Sequence, residues 1–221
     1  RRTNFQNRPS FIKYLSNTLL ATLISYSNEM AEVADTVGNI QVAEAFRILH
    51  MDKRWNNCNM TTYVYPGCGY GGYCLPKDTN ALLAQSKVKG FEPQILKNVI
   101  ATNDKRPATI ARRIVKNLDK NSAVGILGLS FKTLADDVRQ SPALIIIQEI
   151  LKLGYKKIYA YDPAANEEFK KHYPDLEIEI LNSAEEVYKI SEVVAIVTAW
   201  EEFREVPSFG DKPLIDCRYM L

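Results

Sequence analysis

The sequence predicts an α/β protein in two parts: an all-helical first half, and a second half built on a doubly wound parallel sheet. Three observations carry this. Apolar residues recur at helical spacing up to about Leu118, and short continuous apolar runs separated by helical stretches follow from Ala123 onward. The charge also changes sign along the chain. Residues 1–120 carry 17 Lys/Arg against 9 Asp/Glu, whereas residues 121–221 carry 11 against 17. The expected domains are residues 1–106 and 107–221.

From Ser10 to Val37 there is no Gly or Pro, and Pro9 and Gly38 flank the run. Phe11, Leu15, Leu19, Ile24, Met30, Val33 and Val37 recur at helical spacing, with Leu20 and Leu23 on neighbouring faces. Such a helix would be roughly 40 Å long. It is apolar on most sides at first, which predicts a buried core or interface helix. Residues 40–51 read as a second helix, and Asp52 to Met60 as a polar connector. After Thr61 to Pro66 comes a glycine-rich turn, Gly67 to Gly72. A third helix is expected to start near Pro76 and run to about Lys87. Glu92 to Leu118 reads as two helical stretches divided at Arg106-Pro107, because proline breaks helix interiors.

Beyond Asn121 the pattern changes to Ala123–Leu129, a buried-strand run. Ser141-Pro142 supplies an N-cap and a first-turn proline for a helix from Ala143 to Leu153, closed by Gly154. Lys157–Tyr161 reads as a strand, Glu167–His172 as a short helix and Glu177–Leu181 as a strand. Ser183 with Glu186 forms a capping box for the next helix. Val193–Thr198 and Pro213–Asp216 complete the alternation, which is that of a Rossmann-like domain.

Composition excludes several classes. With 46% apolar and 24% charged residues, 10 Gly and 10 Pro, the chain is neither disordered nor of low complexity. Four Cys are too few for a disulfide scaffold. The longest uncharged helical run, Tyr14 to Asn28, is shorter than the roughly 20 residues of a membrane span. No basic-then-apolar leader opens the chain, so a cytoplasmic protein is expected. Its two-signed charge argues against a general nucleic-acid binder and for attraction of a small anion to the first half. Cys58, Cys68, Cys74 and Cys217 form no paired C-x-x-C elements, and His50 and His172 have no partner at metal spacing, so no metal site is expected.

Gly67-Cys68-Gly69-Tyr70-Gly71-Gly72 fits the G-x-G-x-x-G fingerprint, but it does not join a strand to the helix of a βαβ unit. A loop whose backbone approaches a ligand closely is the better reading. Tyr73-Cys74-Leu75-Pro76-Lys77-Asp78 then sets a thiol near a helix start with a cation and a carboxylate beside it. A helix N-terminus and a lysine both favour a thiolate, and the carboxylate can serve a water or hydroxyl proton. A structural cysteine is the plainer alternative. Lys13 and Asn17, four residues apart, share a helix face and would suit a developing oxyanion, unless Lys13 turns outward. Phe131-Lys132 lie at the carboxyl end of the first strand, where such sheets bind ligands. Asp162, ending the second strand, is either a ribose-binding acid or a turn residue.

Three segments resemble the nucleotide-sugar 6-dehydrogenase family. Gly69 to Thr79 is similar to its catalytic-cysteine motif. Lys13 to Asn17 with Leu20-Ala21 and Asn28-Glu29 resembles the start of its long central helix. Gly128 to Lys132 with Asp136-Asp137-Val138-Arg139-Gln140-Ser141-Pro142 resembles the opening of its C-terminal domain. The resemblance implies that Cys74 is a nucleophile forming thiohemiacetal and thioester intermediates, that Lys13 and Asn17 stabilise oxyanions, and that Asp78 orients water or acts as base. It implies that Tyr63, Gly69, Tyr70, Gly71, Phe131 and Lys132 hold a nucleotide sugar, joined by Arg54 reaching a neighbouring subunit's substrate, and that Arg218 and Lys77 lie near the cofactor, NAD. UDP-glucose or a related nucleotide sugar would be the substrate, with GDP-mannose as the alternative, and the long helix would form a homodimer. Cys217 stands where the family often has Gly. The family's N-terminal NAD-binding domain is not part of this sequence, so the chain is expected not to turn over by itself. Two other classes remain open from the residues alone: a stand-alone nucleotide-binding and dimerisation module, and a thiol acyltransferase.

Overall fold

A computed structural model of the chain describes residues 8–53 and 63–221. Among the described residues seven α-helices and five strands follow in order: α1 (Arg8–Val37), α2 (Val42–His50), α3 (Cys74–Val88), α4 (Gln94–Ile114), β1 (Val124–Leu127), α5 (Pro142–Lys152), β2 (Ile158–Tyr161), α6 (Asn166–His172), β3 (Glu179–Ile180), α7 (Ala184–Ile190), β4 (Val193–Ile196) and β5 (Leu214–Asp216). A 3-10 helix, Glu201–Phe209, precedes β5 and was not expected from the sequence. The chain forms two compact units, one of residues up to 66 with 73–104, the other of 67–72 with 105–221.

The first unit is helical. α1 turns its small residues inward: Ala21, Ser25, Ser27, Asn28, Ala31 and Ala34 are all buried. Small side chains let neighbouring backbones approach, and Ser25 Oγ donates to the Val99 carbonyl on α4 at 3.3 Å. The bulky residues face out instead. Phe11, Ile12, Leu15, Leu19, Tyr26 and Val33 are all about half exposed or more. Of the two readings of α1, core or interface helix, these exposed side chains do not fit the first within this chain.

Two further expectations are corrected. α3 begins at Cys74, two residues before Pro76. Proline has no N–H to contribute, but the first-turn N–H groups have no helical partner anyway, so Pro76 fits there. α4 runs unbroken through Pro107. Proline fixes a helix-compatible φ and removes one hydrogen bond. In the turns that follow, Ile110, Ala111 and Ile114 are buried in the core of the second unit, and that burial offsets the loss.

The second unit is a five-stranded sheet in the order β3-β2-β1-β4-β5. Every pairing is parallel, with Val124 opposite Ile158 on one side and Val193 on the other. Alternate residues face opposite ways. Val124, Ile126, Val193 and Ala195 pack with Ile146, Ile147 and Ile150 of α5 and Phe169 of α6. Leu127, Val194 and Ile196 pack with Val187 of α7 and with Phe203 and Val206 of the 3-10 helix. Helices thus cover both faces, as a doubly wound sheet requires. The expected caps form: Ser141 Oγ accepts from Ala143 N at 3.2 Å, and Ser183 Oγ from Glu186 N at 3.1 Å. Glu186 reaches back one residue further than a capping box, to Asn182 N at 2.9 Å. The strand order reverses between β1 and β4, so the ligand-binding crevice of this fold class lies beyond their carboxyl ends. There Gly128 has φ +97°, and a Cβ on it would stand 2.5 Å from the Thr198 backbone nitrogen.

Candidate functional site

In the first unit, α1 and α3 bring four of the expected residues together. Lys13 and Asn17 lie one turn apart on α1, and both reach Asp78 in the second turn of α3. Lys13 Nζ is 3.1 Å from Asp78 Oδ2, Asn17 Nδ2 donates to Oδ2 at 2.6 Å, and Lys77 Nζ is 3.5 Å from Oδ1. Lys13 therefore does not simply turn outward, although half its side chain meets solvent while that of Asp78 is 1% exposed. Cys74 is exposed and precedes Asp78 by four residues on the same helix, so the two share a face. Lys77 also lies over the Tyr73 ring, 4.5 Å from its centroid.

Charge and burial oppose each other at Asp78. Burial pushes its carboxyl upward, but hydrogen bonds from Lys13 and Asn17 and the charges of Lys13 and Lys77 outweigh it and hold the group below its ordinary value. The hydrogen bond to Asp78 holds Lys13 above its own ordinary value. The signs fix the pH response. The carboxylate's contribution is complete above the ordinary Asp value of about 3.9 and is lost as the pH falls through the lowered value. The lysine's is complete below about 10.4 and is lost as the pH rises through the raised value. Asp78→Asn should therefore lower the urea midpoint at neutral pH, and the gap from the parent should narrow as the pH falls through the lowered Asp78 value and as it rises through the raised Lys13 value. A gap independent of pH would show that the ion pair does not contribute.

The second unit holds the glycine loop. Gly71 packs so closely that a Cβ there would collide with the Gln140 carbonyl oxygen and lie 2.8 Å from Pro142 Cδ. Gly72 has φ +75°, and a Cβ would be 3.0 Å from the Phe131 ring. Gly69 and buried Tyr70 sit between Cys68 and this contact, and Gly69 has φ +106°. Phe131 is returned toward the loop by the turn after β1: its N–H bonds the Asp137 carbonyl at 3.0 Å, and the Asp137 carboxylate accepts from Arg139 N and Nε, both at 3.0 Å. These bonds to Arg139 hold the Asp137 carboxyl low despite its burial. Lys132 is exposed, with Nζ 5.4 Å from the Phe131 ring centroid.

Arg218, just past β5, lies against Gly67, where a Cβ would collide with its guanidinium. Its Nε is buried without a hydrogen-bond partner. Asp216 shapes this turn, accepting from Arg218 N at 2.8 Å and from Leu221 N at 2.9 Å. Arg106, 3% exposed, donates from Nε to the Gly67 carbonyl at 2.8 Å. Tyr63 is half-buried in the first unit. Arg54 and Cys58 lie outside the described residues. Of its two readings, Asp162 takes that of a turn residue: it is 1% exposed and bonded by both oxygens. Oδ2 accepts from Leu129 N, Ser130 N, Ser130 Oγ and Trp200 Nε1, and Oδ1 from Ala164 N and Ala165 N. Its acceptor capacity is taken by the chain's own donors, which favours the turn reading over the ribose-binding one.

Comparison with known proteins decides the family. Residues 9–105 match the central domain of the UDP-glucose/GDP-mannose dehydrogenase family, and residues 125–221 match that family's UDP binding domain. The chain belongs to this family. A UDP-glucose 6-dehydrogenase of Haloferax volcanii, AglM, is 33% identical over 212 residues, covering 94% of this chain and 47% of that protein. UDP-glucose 6-dehydrogenase YwqF of Bacillus subtilis is 35% identical over 207 residues, covering 93% and 46%. Among solved structures, a UDP-glucose dehydrogenase from Pyrobaculum islandicum superposes with a TM-score of 0.85 at 31% identity, over 95% of this chain and 47% of that one. A GDP-mannose dehydrogenase from Pseudomonas aeruginosa gives 0.64 at 26%, over 94% and 49%. The chain spans about half the length of the curated relatives it matches.

The sequence reading gave no site role to Arg106, Gln140 or Asp216. Asp216 had a signal, since an Asp two residues before an Arg after a strand marks an Asx turn. Arg106 was obscured by Pro107, which made the segment read as a break.

Proposed function

We propose that this chain forms the thiol-bearing and nucleotide-sugar-binding part of an NAD-dependent UDP-glucose 6-dehydrogenase, oxidising the sugar C6 alcohol to a carboxylate. The observation that carries the reading is the cluster of Lys13, Asn17 and Asp78 on the helix face that Cys74 shares. Cys74 Sγ adds to the C6 aldehyde, giving a thiohemiacetal that keeps the aldehyde from escaping. Loss of its hydroxyl proton and of a hydride turns it into a thioester, and water adds to release the acid and return the Cys74 thiol. The Lys13 ammonium and the Asn17 amide donate to the developing oxyanions. Asp78, held ionised by its partners, positions both donors and orients the attacking water.

When bound, NAD supplies the hydride acceptor for both oxidations. The partnerless buried Nε of Arg218 fits one anionic edge of such a cofactor, with Lys77 as a second cation. The glycine loop does not fit a dinucleotide pyrophosphate: it lies outside any strand–helix turn of the sheet, and its glycines are spent on packing against Gln140, Pro142 and Phe131. We assign Gly69 to Gly71, Tyr63, Phe131 and Lys132 to the nucleotide sugar. Arg54 is proposed to reach the substrate of a second copy, and the exposed apolar face of α1 to form the homodimer. The closer similarity to UDP-glucose enzymes than to a GDP-mannose enzyme supports UDP-glucose.

Thermal unfolding of this chain tests the binding role. UDP-glucose or UDP at ten times its dissociation constant stabilises by about 1.4 kcal/mol, a rise of roughly 3–5 °C for a chain of this size. Stabilisation by NAD and none by UDP would overturn the assignment.

A further inference from the structure

The turn joining α3 to α4 has no part in that chemistry, and it presents large apolar side chains to solvent. α3 ends in a Schellman motif. Gly90 has φ +85°, its N–H bonds the Lys87 carbonyl at 3.0 Å, and the Phe91 N–H bonds the Ser86 carbonyl at 3.0 Å. In such a motif the residue after the glycine commonly packs back on an apolar side chain in the last turn of the helix. Here that turn offers only Gln85 and Ser86, and Phe91 is left 67% exposed. Val88, ending α3, and Ile95, in the first turn of α4, are 84% and 75% exposed. Leu96, Val99 and Ile100 are buried, so α4 has an inner face to which Ile95 does not belong. Among the described residues, nothing lies within 4 Å of where a Cβ on Gly90 would stand.

The charge around this turn has a surplus of one sign. Residues 87–97 carry three exposed lysines, Lys87, Lys89 and Lys97, against one acid, Glu92. Glu92 lies 3.0 Å from Lys87 Nζ and 3.1 Å from Lys97 Nζ. Hydrogen bonds from Lys87, Lys97 and Gln94 hold its carboxyl down at about 2. The acid therefore ties the end of α3 to the start of α4, and the lysines still outnumber it.

Three side chains on one tight turn offer a few hundred Å² of apolar surface. A stable protein–protein interface takes about 800 Å² from each partner. A small apolar tip rimmed by lysines suits an anionic bilayer better. The apolar groups enter between the lipid headgroups, and the ammonium groups, on flexible stems, reach the phosphates. We propose that the α3–α4 turn docks this chain on the surface of an anionic lipid bilayer, through Val88, Phe91 and Ile95 with Lys87, Lys89 and Lys97. The contact is with the headgroup layer; among the described residues no helix is long and apolar enough to cross a membrane. The Schellman bonds fix the turn in advance, so little ordering is required on contact.

The experiment is co-sedimentation of this chain with vesicles of equal parts phosphatidylglycerol and phosphatidylcholine, and with vesicles of phosphatidylcholine alone. Binding to the anionic vesicles is expected, weakened at least about fivefold without the anionic lipid and again by about 0.5 M NaCl. Phe91→Ser and Lys89→Glu should each weaken it about tenfold. Neither should lower the melting temperature, because both side chains are exposed. In Phe91→Trp, emission should shift to the blue on adding anionic vesicles, a shift that Trp55 and Trp200 of the parent do not give. The proposal is overturned if the two kinds of vesicle are bound alike or not at all, or if Phe91→Ser and Lys89→Glu bind as the parent does. It is also overturned if Leu19→Ser, on the exposed face of α1, loses binding that Phe91→Ser keeps. A change of particle mass in Phe91→Ser by sedimentation equilibrium would overturn it too, making the turn an interface between copies of the chain. None of these readouts depends on nucleotide-sugar binding or turnover.

Discussion

Asp162→Ala is expected to destabilise the α/β unit by about 3–5 kcal/mol, a large share of the 5–15 kcal/mol that holds a domain folded. The carboxylate accepts four backbone N–H groups, the Ser130 hydroxyl and the Trp200 indole. Each buried donor left without a partner costs about 1–3 kcal/mol, and water entering the gap recovers part of the total. The turn after β1 and the turn after β2 would lose the group that joins them. Urea denaturation checks this: the midpoint should fall sharply with little change in slope. Asp136→Ala, an exposed residue in the β1–α5 connection, should stay within about 0.5 kcal/mol. If the two variants unfolded alike, Asp162 would be no more than a turn residue.

Cys74→Ser is expected to reduce UDP-glucose-dependent NADH formation by the whole enzyme by at least about three orders of magnitude. An alcohol in place of the thiol neither traps the aldehyde readily nor leaves from the ester it would form. The fold should be untouched, because Cys74 is exposed and contributes nothing to either apolar core. Far-UV circular dichroism and the melting temperature should match the parent. Activity within tenfold of the parent would remove Cys74 from the chemistry and favour a binding and dimerisation module.

The sheet was legible because its strands are short apolar runs with clear stops: Ser141-Pro142, Gly154 and Ser183 each mark a helix end by a mechanism that acts locally. The Lys13 and Asn17 pair was legible for a related reason, since an i,i+4 spacing fixes a shared face whatever the tertiary context, but its meeting with Asp78 on α3 was not. What failed depended on distant partners. Pro107 breaks a helix by local rules, and only the burial of Ile110, Ala111 and Ile114 keeps α4 whole. Asp162 read equally as turn or ribose acid, because the Leu129, Ser130 and Trp200 donors that claim it come from other parts of the chain. The outward face of α1 was equally hidden: sequence shows that residues are apolar, not which of them a single chain leaves uncovered.

Residues 67–72 belong with the sheet, although they lie within the helical stretch of the sequence. Neither unit is therefore a contiguous stretch of polypeptide, and a cut anywhere near residue 105 would strip the sheet of its loop while leaving every strand in place. The two halves look separable in the linear order of residues, yet neither unit can be excised as a single continuous segment without taking part of the other.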